Sequence, residues 1–113
     1  MDIVEAVKKE LKQAEAILKE AEEAHRKGLY ALSINSSEAC LELCFKASSK
    51  LIGTSWFSLG LAERAKLLED WIRRQAKEAF FEGEANAEAA EQELKRAREA
   101  YEAVLKLLEE VEE

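Results

Sequence analysis

Proline is absent from this chain of 113 residues, and glycine occurs only at Gly28, Gly53, Gly60 and Gly83. With the usual breakers so scarce, and Ala, Leu, Glu and Lys making up much of the rest, the composition predicts an all-α protein built from long helices. Histidine occurs once, at His25, and cysteine twice, at Cys40 and Cys44. A single histidine cannot supply the two Glu-x-x-His pairs of a di-iron bundle, which excludes that chemistry. Two cysteines four apart in a helical pattern form no disulfide framework and fit a reducing compartment. There is no Gly-x-Ser-x-Gly elbow and no glycine-rich phosphate loop. No apolar run approaches the ~20 residues of a membrane span, and the N-terminus lacks the basic, apolar and small-residue sequence of a leader; the expectation is a cytoplasmic protein with no membrane role. Asparagine is limited to 35 and 86 and glutamine to 13, 75 and 92, a depletion that with abundant Glu, Lys and Arg leans toward a thermophilic source.

What is there fits one domain spanning 1–113, because 12.8 kDa leaves no room for a second core. The 48% hydrophobic and 36% charged content is the balance of a folded chain. The net charge of −7 falls entirely after residue 81, where 11 acids face 4 bases. An acidic last helix repels a phosphate backbone, so general nucleic-acid binding is not expected.

Periodicity divides the chain into four helices, at 2–27, 29–52, 60–81 and 86–111, which predicts an antiparallel, up-and-down four-helix bundle. The first opens on a capping-box pattern, Asp2 with Glu5, and carries Val4, Val7, Leu11, Ala14, Leu18 and Ala21 at alternating spacings of three and four. Gly28 is its natural terminator, and the short link makes the second helix an antiparallel neighbour. The second helix is polar only along Asn35, Glu38, Glu42, Lys46 and Ser49. The middle of its apolar side is small, Ser33, Ser37, Cys40, Cys44 and Ala47, flanked by Leu43 on one side and by Ile34, Leu41, Phe45 and Ile52 on the other. Small residues between ridges let another helix approach closely. Residues 53–60 form the irregular connection and hold Trp56 and Phe57, which either plug the bundle end or wait for a partner. The third helix presents Leu61, Ala65, Leu68, Ile72 and Ala79, with Trp71 beside them; the fourth follows an Asn86 cap and carries Ala90, Leu94, Ala97, Tyr101, Val104, Leu108 and Val111.

Candidate chemistry is thin. Cys40 and Cys44 share a helix face, but with one histidine they fall short of a four-ligand zinc site, so they read as core packing and no metal or cofactor is expected. A cysteine nucleophile would need His25 within reach, and His25 reads instead as a residue favouring the end of helix one. On helix three, Lys66, Arg73 and Lys77 share a face with Arg74 adjacent, a weak candidate site for a phosphate or an acidic segment. Asp70 lies in that stripe and Glu63, Glu69 and Glu78 beside it, the pattern of a solvated, salt-bridged face. No catalytic constellation emerges.

The stretch Ala21 to Gly53, with Gly28, Tyr30, Ala47, Leu51, Ile52 and Gly53 at the places of a Gly-x-Tyr turn and a Leu-Leu-x-Gly-like helix end, resembles the HEPN superfamily of small antiparallel helical bundles. The segment from Ala79 through Gly83 to Glu88 resembles the archaeal PaREP-type branch. Ribonuclease members of the superfamily carry an Arg, four to six residues, then His. No arginine stands so before His25. The resemblance therefore implies the fold and a tendency to dimerise, without ribonuclease activity. The expected function is a non-enzymatic helical interaction or self-association module. The alternative is a binder of a nucleotide or other phosphorylated ligand, as a partner of a nucleotidyltransferase. The width of the apolar side of helix two predicts a homodimer through Ser33, Ser37, Leu41, Cys44, Phe45 and Ile52, or through the loop at Trp56 and Phe57; the rival arrangement buries helix two among the other three.

Overall fold

A computed structural model describes residues 2–54, 59–78 and 84–112, with side chains throughout except at 53, 54, 59 and 76–78. Four helices follow in order: α1 (Ile3–Arg26), α2 (Tyr30–Thr54), α3 (Leu59–Glu78) and α4 (Ala87–Glu112). Their ends follow from local chemistry. The Asp2 carboxylate accepts the Glu5 amide at 2.9 Å and caps α1, and the Asn86 side chain accepts the Ala89 amide at 2.9 Å and caps α4. At the other end of α1, Gly28 adopts φ +78°, the left-handed conformation that glycine enters without penalty. Its amide reaches the His25 carbonyl at 3.1 Å while the Leu29 amide reaches that of Ala24 at 2.9 Å, the paired bonds of a Schellman close. Helix α2 continues two residues beyond the expected stop at Ile52: Gly53 lies inside it. Residues 79–81, expected to finish the third helix, lie outside the described residues.

Cross-helix contacts fix the directions. Glu10 pairs with Lys50, and the Ser33 hydroxyl donates to the Ala21 carbonyl at 2.8 Å, so α1 and α2 are antiparallel. Lys8 with Glu112 at 2.9 Å, Tyr101 donating to Glu15 at 2.9 Å, and Arg98 with Glu22 at 3.2 Å make α1 and α4 antiparallel as well. Helices α2 and α4 therefore run parallel. Ser49 donates to Glu69 at 2.8 Å and Arg73 stacks over the Phe45 ring at 5.5 Å, which sets α3 antiparallel to α2. The whole is an up-and-down bundle about 45 Å long.

The bundle is not square. Helix α2 packs against all three others, while α1 and α3 do not meet among the described residues. The inner side of α2 is small, with Ser33, Ser37, Cys40, Cys44, Ala47 and Ser48 all buried, and α4 buries Ala90, Ala97 and Ala100, so that the α2–α4 diagonal closes. This corrects the expected dimer seam. Ser33, Ser37, Leu41 and Cys44 are enclosed within their own chain, and Phe45 and Ile52 pack partly buried against the same core. The apolar width of α2 is used by having three neighbours. Trp56 and Phe57 lie outside the described residues.

Candidate functional site

The basic stripe on α3 is already engaged. Glu69, only 8% exposed, accepts Ser49 from α2 and pairs with Arg73 at 3.2 Å and Lys66 at 3.5 Å. Asp70 lies 3.7 Å from Lys66 and 3.9 Å from Arg73. The two acids hold the two bases in place, and what they build is the joint between α2 and α3. Arg74 is exposed one position further round, and the side chain of Lys77 lies outside the described residues. Lys66 and Arg73 are thus drawn into ion pairs with acids of their own helix, and Lys66 also borders an open hollow with Ala62, Glu63 and Leu67.

Cys40 and Cys44 are free and fully buried at the centre of α2. Cys44 donates to the Cys40 sulfur, and that bond, then burial, pushes the Cys44 thiol far above the ordinary thiol range, the opposite of an activated nucleophile, while the same bond lowers Cys40. His25 stands in the last turn of α1, its ring edge-on to Tyr30 at 5.6 Å, with a buried Nε2 that has no partner. From the antiparallel register it lies roughly 12 Å along the bundle from the level of Cys40, too far for a Cys–His pair. Among the described residues no group of three or more His, Cys, Asp or Glu could hold a metal ion, and no helix is long and apolar enough to cross a membrane.

The remaining polar side chains inside the bundle mark its seams. Tyr101, bonded to Glu15, is pushed up to about 12, by burial first and by that carboxylate second; Lys19 and then Tyr101 hold Glu15 below its ordinary value. Glu93 was not foreseen as an interior residue. It begins a second buried row on α4, continued by Ala100 and Leu107 at heptad spacing, beside the row already legible in the sequence. The signal was the seven-residue repeat itself, which an acid at its first place obscured.

The surface that stands out is the outer edge of the α1–α2 hairpin. Leu29 and Leu32 are 51% and 53% exposed. They border a hollow of about 210 Å³ lined also by Glu20, Glu23, Ala24, Lys27 and Ser36. Along α2 the edge continues through Ser36, Ala39 and Leu43, none fully buried, at spacings of four, three and four from Leu32. On α1 the half-buried Ile17 lies seven residues before Ala24 on the same stripe. Sequence reading missed this edge because Leu32, Ser36 and Ala39 sit beside the wide apolar side of α2 and could not be told apart from it. Set against known protein families, curated proteins and solved structures, the chain matches none.

Proposed function

We propose that this chain is a non-enzymatic helical interaction module that pairs with a second copy of itself across the outer edge of the α1–α2 hairpin. The observation that carries the reading is the half-exposed pair Leu29 and Leu32 at the head of an apolar, small-residue edge whose neighbouring hollow is empty of side chains. Small residues at coiled-coil spacing let two such edges approach closely. The charges suit a two-fold, antiparallel apposition: Glu20 and Glu23 flank one end of the edge and Lys46 the other, where Lys50 is held by Glu10 of its own chain. A two-fold near Ala39 sets the Lys46 stem over Leu32 of the second copy and Leu43 beside its Ser36. The ion pairs Glu42–Lys46 and Glu23–Lys27 are exposed and cost ~0–1 kcal/mol to rearrange. From Leu32 to Lys50 the edge runs roughly 27 Å at 1.5 Å per residue. With a hairpin width of about 20 Å, the two copies together would bury roughly 1,100 Å², near the lower bound for a specific pair.

The fold agrees with what the HEPN resemblance implies, although the surface differs from the one expected. The phosphorylated-ligand reading has less behind it, because Lys66 and Arg73 are neutralised by Glu69 and Asp70. Sedimentation equilibrium at tens of micromolar tests the proposal. The expected mass is twice 12.8 kDa, reduced to a single chain by the pair Leu32→Glu and Ala39→Glu with helicity retained, and unchanged by Leu67→Glu, a substitution at an exposed leucine of α3. A wild-type protein that stays a single chain refutes it.

A further inference from the structure

Glu93 is the most enclosed acid among the described residues, at 3% exposure, and it faces the α2–α4 seam from the second turn of α4. One carboxylate oxygen accepts from Arg96 at 3.0 Å; the other, Oε2, is buried with no hydrogen-bond partner. Across the seam stands a second carboxylate, Glu38 of α2, near enough for its charge to act on Glu93. Elsewhere around this level, α1 offers Glu22, already paired with Arg98, and the His25 ring, while Glu91 and Lys95 of α4 point outward. Helix α3 is joined to α4 through Arg64 and Glu110, about 25 Å further along; its side chains at 76–78 lie outside the described residues.

A buried carboxylate with half its acceptor capacity unmet, beside another acid, is a poor place for negative charge. A proton on Oε2 removes the penalty and the repulsion together. The alternative relief is to lift the start of α4 away from α2, which the non-helical residues 84–86 just before it would permit.

We propose that Glu93, with Glu38 across the seam, is a proton-operated clasp: protonated, it seals the first turns of α4 onto α2, and ionised, it loosens them. The titration falls in a useful range. Burial pushes Glu93 up to about 6, with the charge of Arg96 opposing and that of Glu38 adding, and burial raises Glu38 as well. A carboxyl that is raised in the folded state binds its proton more tightly there than in the open chain. Its contribution is therefore complete below the ordinary carboxyl value near 4.5 and is lost as pH rises through about 6.

Amide hydrogen exchange between pH 5 and 7.5, corrected for intrinsic rates, reads this directly. Protection of the amides of Ala90 to Ala97 is expected to fall by about 8-fold over that range, the share of the roughly 30-fold effect of a 1.5-unit shift that lies above pH 5, beyond any change in the α1–α2 hairpin. Glu93→Gln is expected to abolish the pH dependence and Glu38→Gln to reduce it. Glu93→Gln that retains the full pH dependence, or a loss spread evenly over all four helices, overturns the proposal. Should Glu93→Gln fail to fold, the carboxyl carbon of Glu93 in the wild-type protein decides: a midpoint near 6 supports the clasp and one below 5 refutes it.

Discussion

Ser33 and Ser37 stand one turn apart on the buried side of α2, both fully enclosed, and the same substitution at each is expected to move stability in opposite directions. Ser33 donates to the Ala21 carbonyl across the hairpin at 2.8 Å, whereas the Ser37 hydroxyl has no partner. Replacing Ser33 by alanine removes a hydrogen bond with a net value of ~1 kcal/mol and regains part of that, roughly 0.5 kcal/mol, through alanine's better helix propensity. The result is a loss of about 0.5–1 kcal/mol. Replacing Ser37 by alanine regains the same propensity and also relieves a buried hydroxyl whose desolvation is uncompensated, worth ~1–3 kcal/mol. The result is a gain of about 1.5 kcal/mol or more. The two variants should thus differ by ~2 kcal/mol, although each deletes one oxygen from the same helix. Urea unfolding followed by circular dichroism measures both, provided the slope with denaturant is unchanged, so that midpoint shifts report stability alone. A Ser37→Ala variant as destabilised as Ser33→Ala would refute the reasoning, because it would mean that both hydroxyls are satisfied.

Gly28→Ala is expected to destabilise by about 1 kcal/mol, the cost of a side chain in the left-handed region, with no steric addition because no atom beyond its two chain neighbours lies within 4 Å of the added methyl group; a loss of several kcal/mol in the same urea assay would contradict this. Titration calorimetry with ATP or inorganic phosphate is expected to show no submicromolar binding, since an anion must displace Glu69 and Asp70 from Lys66 and Arg73; submicromolar binding lost on Arg73→Ala would show that the stripe is a site after all.

The four helices were legible because each carries its own core row at bundle spacing and because Asp2, Gly28 and Asn86 mark ends by chemistry that acts within a few residues. The extension of α2 through Gly53 was not, because a glycine is a weak barrier inside a helix held by tertiary packing. The same limit applies to the polar residues. The interaction of Lys66 and Arg73 with Asp70 is local and visible as a pattern on one helix, but Ser49 reaching Glu69 and Glu38 facing Glu93 depend on helix pairing that no local window contains. The apolar width of α2 was correctly seen as excess for a two-neighbour helix; a third neighbour, which only the packing reveals, accounts for it.

A bundle with one diagonal closed and the other open has unequal members, and that inequality bears on how its sequence is free to drift. A change on α2 is felt at once by three helices, so most of its positions are answerable to several partners. Helix α3 answers chiefly to α2 and touches α4 only lightly. Its outward residues, Leu67 among them, are thereby released from the common core, and what it must keep is the buried pair Ala65 and Ile72 and the Ser49–Glu69 joint. Divergence within this architecture should therefore gather on α3, leaving one helix available to acquire new surfaces while the other three hold the fold constant.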